Sequence, residues 1–290
     1  MATPGAWIEG ARLRTLPAAI APVLAGTGAA VWEGAASAPR ALLAAGIALA
    51  LQIGVNFAND YSDGIRGTDA DRVGPMRLTA TGAVTPSTVK RAAFGAFGVA
   101  AVLGVVLVAL AGAWWLLAVG ALSVLAAWYY TGGTSPYGYT GLGEVGVFVF
   151  FGLVATLGTT YTQAGVINGP AVLGALAVGL LSCAILMVNN IRDIATDGPA
   201  GKRTLAVRLG DTWARRVYAV MVLVGLASGV LVVLWQSWAL IIAILLLPAG
   251  VLVRRVLGGA QGPALIVVLR DTGFLVLAVG LLLGATLSLG

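Results

Sequence analysis

The sequence predicts an all-α integral membrane protein with nine transmembrane helices. Three observations carry that prediction. Of the 290 residues, 59% are hydrophobic and only 10% are charged, whereas a soluble domain carries roughly 25% charged residues. Apolar stretches recur at lengths suited to a hydrocarbon core about 30 Å thick, which takes roughly 20 residues of helix. The basic residues, finally, sort almost completely onto alternate connections between those stretches.

Nine segments follow in order, near Leu16–Val31, Ala41–Ala58, Arg91–Ala111, Trp114–Tyr130, Gly143–Tyr161, Pro170–Val188, Ala214–Leu234, Trp238–Val253 and Asp271–Leu287. The first and eighth are short, and Ala264–Leu269 is a possible extension of the last. With the N-terminus on side one, that side holds 16 of the 17 lysines and arginines, and Arg40 stands alone opposite. The positive-inside rule makes side one cytoplasmic and puts the C-terminus on the other face. Seven tryptophans (Trp32, Trp114, Trp115, Trp128, Trp213, Trp235 and Trp238) fall at predicted helix ends, where an amphipathic ring prefers the headgroup region. Pro17 and Pro22 interrupt the first stretch, which reads as a span rather than as a cleaved leader. The 41 glycines suit helices that approach closely in lipid. The chain is expected to be one domain over 1–290.

Composition also limits the chemistry. There is no histidine, and the single cysteine, Cys183, lies in an apolar run. A disulfide and a thiolate metal site are therefore excluded, and catalysis would rest on Asp, Glu, Asn, Tyr, Lys or Arg. The net charge of +6 reads as topology and lipid-headgroup contact, so membrane lipids are expected partners and nucleic acid is not.

Seven of the eleven acidic residues lie in two cytoplasmic connections. The first motif, 56–72, carries Asn56, Asn59, Asp60, Asp63, Asp69 and Asp71, with Arg66, Arg72 and then Arg77. The second, 189–203, carries Asn189, Asn190, Arg192, Asp193, Asp197, Lys202 and Arg203. Aligned on asparagine, both read Asn-x-x-x-Asp (Asn59/Asp63 and Asn189/Asp193), an internal repeat 130 residues apart. Residues three or four apart share a helix face, so each motif forms a polar stripe where an apolar helix ends. Two such stripes facing each other make an oxygen-only cage suited to Mg²⁺, which is bound through a few carboxylates plus substrate phosphates. Arg66, Arg72, Arg77, Lys202 and Arg203 are placed to complete a diphosphate site by charge-assisted hydrogen bonds. A third cytoplasmic connection, from Tyr129-Tyr130 to Glu144, has no basic residue and reads equally well as a plain Gly/Pro turn. Arg12 and Arg14 read equally well as topology anchors.

At these clusters the chain resembles the UbiA superfamily of intramembrane prenyltransferases. The matching stretches are Arg14–Pro17, Asn59–Asp63 through Gly74-Pro75-Met-Arg77-Leu-Thr79, Ser135–Gly138 through Glu144, and Asn189–Asp193 through Gly201-Lys202-Arg203-Thr204-Leu205. Within the superfamily the resemblance is closest to the menaquinone branch, the 1,4-dihydroxy-2-naphthoate polyprenyltransferases. One departure is that Gly67 stands where many members carry the last aspartate of the first motif, and the acid appears at Asp69.

The resemblance implies Mg²⁺-dependent transfer of a polyprenyl group from polyprenyl diphosphate to dihydroxynaphthoate, with decarboxylation, giving demethylmenaquinone. It implies catalytic Asp60, Asp63, Asp193 and Asp197, and metal ligands among Asn59, Asp60, Asp63, Asp69, Asp193 and Asp197. Arg14, Asn56, Asn59, Arg66, Arg72, Arg77, Tyr130, Asn189, Asn190, Lys202 and Arg203 would bind substrate. The same chemistry on 4-hydroxybenzoate or homogentisate is the alternative within the superfamily. A secondary transporter is the alternative outside it, although its carboxylates are expected at the membrane midplane rather than at one face. A CDP-alcohol phosphotransferase fits less well, because Gly67 and Thr68 stand where its motif has Ala-Arg.

Overall fold

A computed structural model describes residues 3–67 and 77–289. Among these every regular element is a helix. In order come α1 (Pro4–Ala11), α2 (Leu16–Trp32), α3 (Ala38–Arg66), α4 (Pro86–Ala111) and α5 (Leu116–Tyr129). There follow α6 (Gly143–Ala164), α7 (Gly169–Asp197), the short α8 (Leu205–Leu209), α9 (Asp211–Leu234), α10 (Ser237–Leu257) and α11 (Pro263–Leu287). Eight stretches among the described residues are long and apolar enough to cross a membrane, counting α1 and α2 as one, and the chain is a multi-pass membrane protein. The expected fourth span is the apolar helix α5, whose 14 residues reach only about 21 Å at 1.5 Å per residue.

The helix ends follow local chemistry. Proline occupies the first turn of α1, α2, α3, α4, α7 and α11, where its missing N–H costs nothing. Asn168 caps α7 by accepting the Ala171 N–H at 2.8 Å. The last helix begins at Pro263, so the Ala264–Leu269 extension is present. The Arg270–Asp271 pair that interrupts its hydropathy is a salt bridge at 2.8 Å on the helix surface. Arg40, the one base expected on the far side, donates to the carbonyls of Leu110 (2.6 Å) and Thr162 (3.0 Å), satisfying the open ends of α4 and α6.

Packing centres on α7, two-thirds of whose most apolar stretch is buried. It lies against α6, α9 and α11, and α2 packs along α11. Close approach depends on glycine at two crossings. A Cβ on Gly280 would stand 2.6 Å from the Ala21 carbonyl oxygen, and one on Gly152 would stand 2.8 Å from the Gly179 Cα. The second crossing falls within a π-helical segment of α6, Phe148–Val154. A separate apolar cluster joins α1, α3 and α4 around Phe57, Leu78 and Phe97.

The two motif helices have equal length. Each of α3 and α7 has 29 residues, about 43 Å at 1.5 Å per residue, well beyond the hydrocarbon thickness. Their last turns therefore carry the acidic motifs out of the apolar layer at one end of the bundle.

Candidate active site

The two motifs meet through a residue from the third connection. Tyr139 donates its hydroxyl hydrogen to Asp63 Oδ1 at 2.6 Å. The Arg66 guanidinium lies 5.3 Å from the centre of its ring, and the Lys202 ammonium 5.4 Å. Its carbonyl accepts the Arg203 N–H at 2.9 Å. Lys202 in turn reaches Asp197 Oδ1 at 3.6 Å. Asp63 from α3 and Asp197 from α7 are thus joined through one tyrosine and one lysine.

The remaining motif residues divide by what holds them. Asp60, 1% exposed, points away from the cavity described below and accepts the backbone N–H groups of Leu78 and Thr79, both at 2.8 Å. That grip fixes the turn carrying Arg77, whose guanidinium stands 3.9 Å from Asp63 Oδ2. The Asp193 carboxylate is held at two points by Arg192, at 2.7 Å each, and Arg192 also donates to Asn189 Oδ1 at 3.0 Å. Asn59 accepts the Thr131 hydroxyl at 2.8 Å. Asn56 donates to the Ala11 carbonyl and the Thr15 hydroxyl at 2.9 and 3.0 Å, tying α1 to α3. Asn190 donates to Glu144 Oε1 at 3.0 Å. Arg66 donates to the carbonyls of Thr131 and Gly133. Arg14 and Arg203 are exposed.

A cavity of about 550 Å³ opens beside these groups. Asn56, Asn59, Asp63, Arg77, Tyr130, Asn189, Asn190 and Lys202 form its polar end, and Leu107, Val108, Phe150, Phe151 and Val154 its apolar depth. Along α3 it reaches Ala44, about 28 Å from Asp63 at 1.5 Å per residue. Of the expected site residues, Asp60, Arg66, Asp193, Asp197, Arg14 and Arg203 do not line it. Asp69 and Arg72 lie outside the described residues.

Residues outside the expected site set also stand here: Arg12, Thr15, Gln52 and Tyr137 line the cavity, and Tyr139 and Arg192 grip the carboxylates. The Tyr130 and Tyr137 rings meet edge to face at 5.5 Å. Burial pushes the Tyr137 phenol up to about 12. Burial, followed by the nearby Glu144, holds Tyr130 well above the ordinary tyrosine range. Both phenols are therefore neutral hydrogen-bond donors at physiological pH.

The donor set is hard oxygen throughout, which suits Mg²⁺ and not a soft metal. Among the described residues no three acidic side chains come together closely enough to hold a metal alone. The arrangement fits an ion held jointly by carboxylates and substrate phosphate oxygens, the usual mode for Mg²⁺.

Long apolar helices enclosing a deep cavity, with Asp63, Arg77, Lys202 and four asparagines at its polar mouth, define an intramembrane helical protein with a cavity polar at one end and apolar in its depth. Over residues 19–264 the chain matches the UbiA prenyltransferase family, and it belongs to that family. It is 52% identical to the 1,4-dihydroxy-2-naphthoate octaprenyltransferase of Mycobacterium tuberculosis (strain ATCC 25618 / H37Rv), over 100% of this chain and 99% of that one. It is 41% identical to the Escherichia coli (strain K12) protein of the same name, over 86% and 83% of the two chains. In fold it is similar to a UbiA homologue from Archaeoglobus fulgidus whose structure holds GPP and Mg²⁺, with a TM-score of 0.73 at 14% identity over 98% and 100% of the chains.

Proposed function

We propose that this protein transfers a polyprenyl group from polyprenyl diphosphate to 1,4-dihydroxy-2-naphthoate. The carrying observation is full-length similarity to enzymes of that name, joined to a cavity with a carboxylate mouth and an apolar depth. The whole chain, 1–290, acts as one transmembrane unit. It crosses the cytoplasmic membrane nine times, α5 included, with the N-terminus and the site facing the cytoplasm and the C-terminus outside. The split of basic residues supports this orientation.

Asp63, Asp193 and Asp197, with Asn59 and Asn189, would hold Mg²⁺ against the donor diphosphate; the GPP- and Mg²⁺-bound homologue supports both ligands. Bound there, the ion supplies charge stabilisation to the leaving group. Lys202 and Arg77 add cationic hydrogen-bond donors as the allylic C–O bond breaks and its electron pair passes to the diphosphate. Asp69 and Arg72 belong to the same set by sequence. Asp60 acts through the Arg77 turn, and Asn56 and Arg66 through the walls they brace. The apolar depth takes the prenyl chain and keeps water from the allylic cation. The cation bonds to the electron-rich ring, and CO₂ and a ring proton leave. The proton lost where the prenyl group joins is matched by one taken up where CO₂ departs, so the immediate product is the hydroquinone form of demethylmenaquinone.

Purified protein in nanodiscs, given Mg²⁺, labelled polyprenyl diphosphate and a panel of aromatic acceptors, tests this reading. Transfer to dihydroxynaphthoate, abolished by EDTA, supports it. Transfer only to 4-hydroxybenzoate or homogentisate would move the acceptor, and transfer to none by folded protein would refute the enzyme.

A further inference from the structure

Arg12 is the only non-glycine residue with positive φ among the described residues, at φ 53° and ψ 62°. Left-handed backbone is strained for an L-residue with a Cβ, and such strain persists where the surroundings over-determine it. Here the surroundings do so. The Arg12 N–H donates to the Glu9 carbonyl at 3.0 Å, and its own carbonyl accepts the Thr15 N–H (2.8 Å) and hydroxyl (2.9 Å). Gln52 and Asn56 lock Thr15 from α3 at 3.2 and 3.0 Å. The result breaks α1 from α2 and turns the Arg12 side chain to the cavity.

Its guanidinium is not matched there. Nη2 is buried with no hydrogen-bond partner, an arrangement costly for a charged donor. Among the described residues the one acid lining the cavity is Asp63, already engaged by Tyr139 and faced by Arg77. A guanidinium with a buried, unpartnered nitrogen at a cavity wall calls for an anion, and a carboxylate matches its planar fork.

We propose that Arg12 binds the carboxylate of the aromatic acceptor and so selects carboxylate-bearing rings. The inference rests on the acceptor reading above. The brace at Arg12 joins α3 at Asn56, two turns or about 10 Å along the helix from Asp63. That separation leaves the width of an aromatic ring between the acceptor's carboxylate and the donor's diphosphate end.

The test compares wild type with Arg12→Asn, which tolerates the left-handed backbone, and Arg12→Lys, which keeps the charge. KM is measured separately for dihydroxynaphthoate and for polyprenyl diphosphate, with 1,4-naphthalenediol as the acceptor lacking a carboxylate. Arg12→Asn is expected to raise the acceptor KM by about 10- to 100-fold, the loss expected for a hydrogen bond to a charged group, with donor KM unchanged. It should also erase the wild-type preference for the carboxylate-bearing ring, and Arg12→Lys should restore part of that preference.

A rise in donor KM alone would reassign Arg12 to the diphosphate, and unchanged constants would make it structural; either overturns the proposal. If both variants unfold, the wild type decides by its relative affinity for the naphthoate and the diol, and equal affinity overturns it. A wild type that prenylates dihydroxynaphthoate while the variants behave normally removes only the role of Arg12. A wild type that prenylates no carboxylate-bearing ring removes the acceptor reading as well.

Discussion

At the scale of residues, spacing and burial separate carboxylates that look equivalent in sequence. Asp60 and Asp63 lie three residues apart, yet Asp60 is spent on two backbone N–H groups while Asp63 faces the cavity. Asp60→Asn is therefore expected to lower stability by about 1–3 kcal/mol, seen as a lower Tm in detergent. Asp63→Asn keeps an oxygen to accept from Tyr139 but loses the charge that faces the buried Arg77, so it should lower Tm as well and, in protein that stays folded, abolish transfer. The tyrosines predict a pH dependence. Unfolded tyrosines release their proton near pH 10, whereas Tyr137 in the folded protein holds its proton to about 12. The folded state thus binds more protons in that window, so stability should be insensitive to these groups below pH 10 and fall between 10 and 12. Tyrosinate absorbance set beside unfolding curves checks both. The sequence displayed the aspartates, since both motifs close apolar helices. It could not display Tyr139, which meets Asp63 from 76 residues away on a connection whose Gly and Pro content suits any turn.

At the scale of elements, helix existence was readable and helix ends were less so. The apolar runs located every long helix, but α3 and α7 continue as helices through their polar motifs to Arg66 and Asp197. Hydropathy stops where the charges begin, whereas backbone hydrogen bonding does not. The break at Arg12 was hidden because left-handed backbone at a non-glycine residue leaves no compositional trace. Glycine roles depend on which face meets a neighbour. Gly280→Val would drive a side chain into the Ala21 backbone and should cost about 1–3 kcal/mol. Gly98→Ala meets open space and should be neutral or slightly stabilising, since alanine is the better helix former. Thermal unfolding of the two variants side by side measures the contrast.

At the scale of the molecule, the bundle places its polar chemistry at one end and an apolar depth along most of its height. The imbalance of basic residues was legible in sequence and supports the proposed orientation, and its one exception, Arg40, closes two helix ends. The proposed nine crossings would put Ser87 in the cytoplasm and Ser288 outside. Single-cysteine variants at these exposed positions, made in a Cys183→Ala background, should be labelled by impermeant maleimide from opposite faces of the membrane. Labelling of both from the inside would mean that α5 does not cross.

Two motifs 130 residues apart are proposed to form a single metal–diphosphate site. Electron paramagnetic resonance of Mn²⁺, added with a non-reactive prenyl thiodiphosphate to wild type, Asp63→Asn and Asp193→Asn, tests it most directly. Ligand-dependent Mn²⁺ binding is expected in the wild type, with its loss in each variant alone. Full Mn²⁺ binding in either folded variant would contradict it.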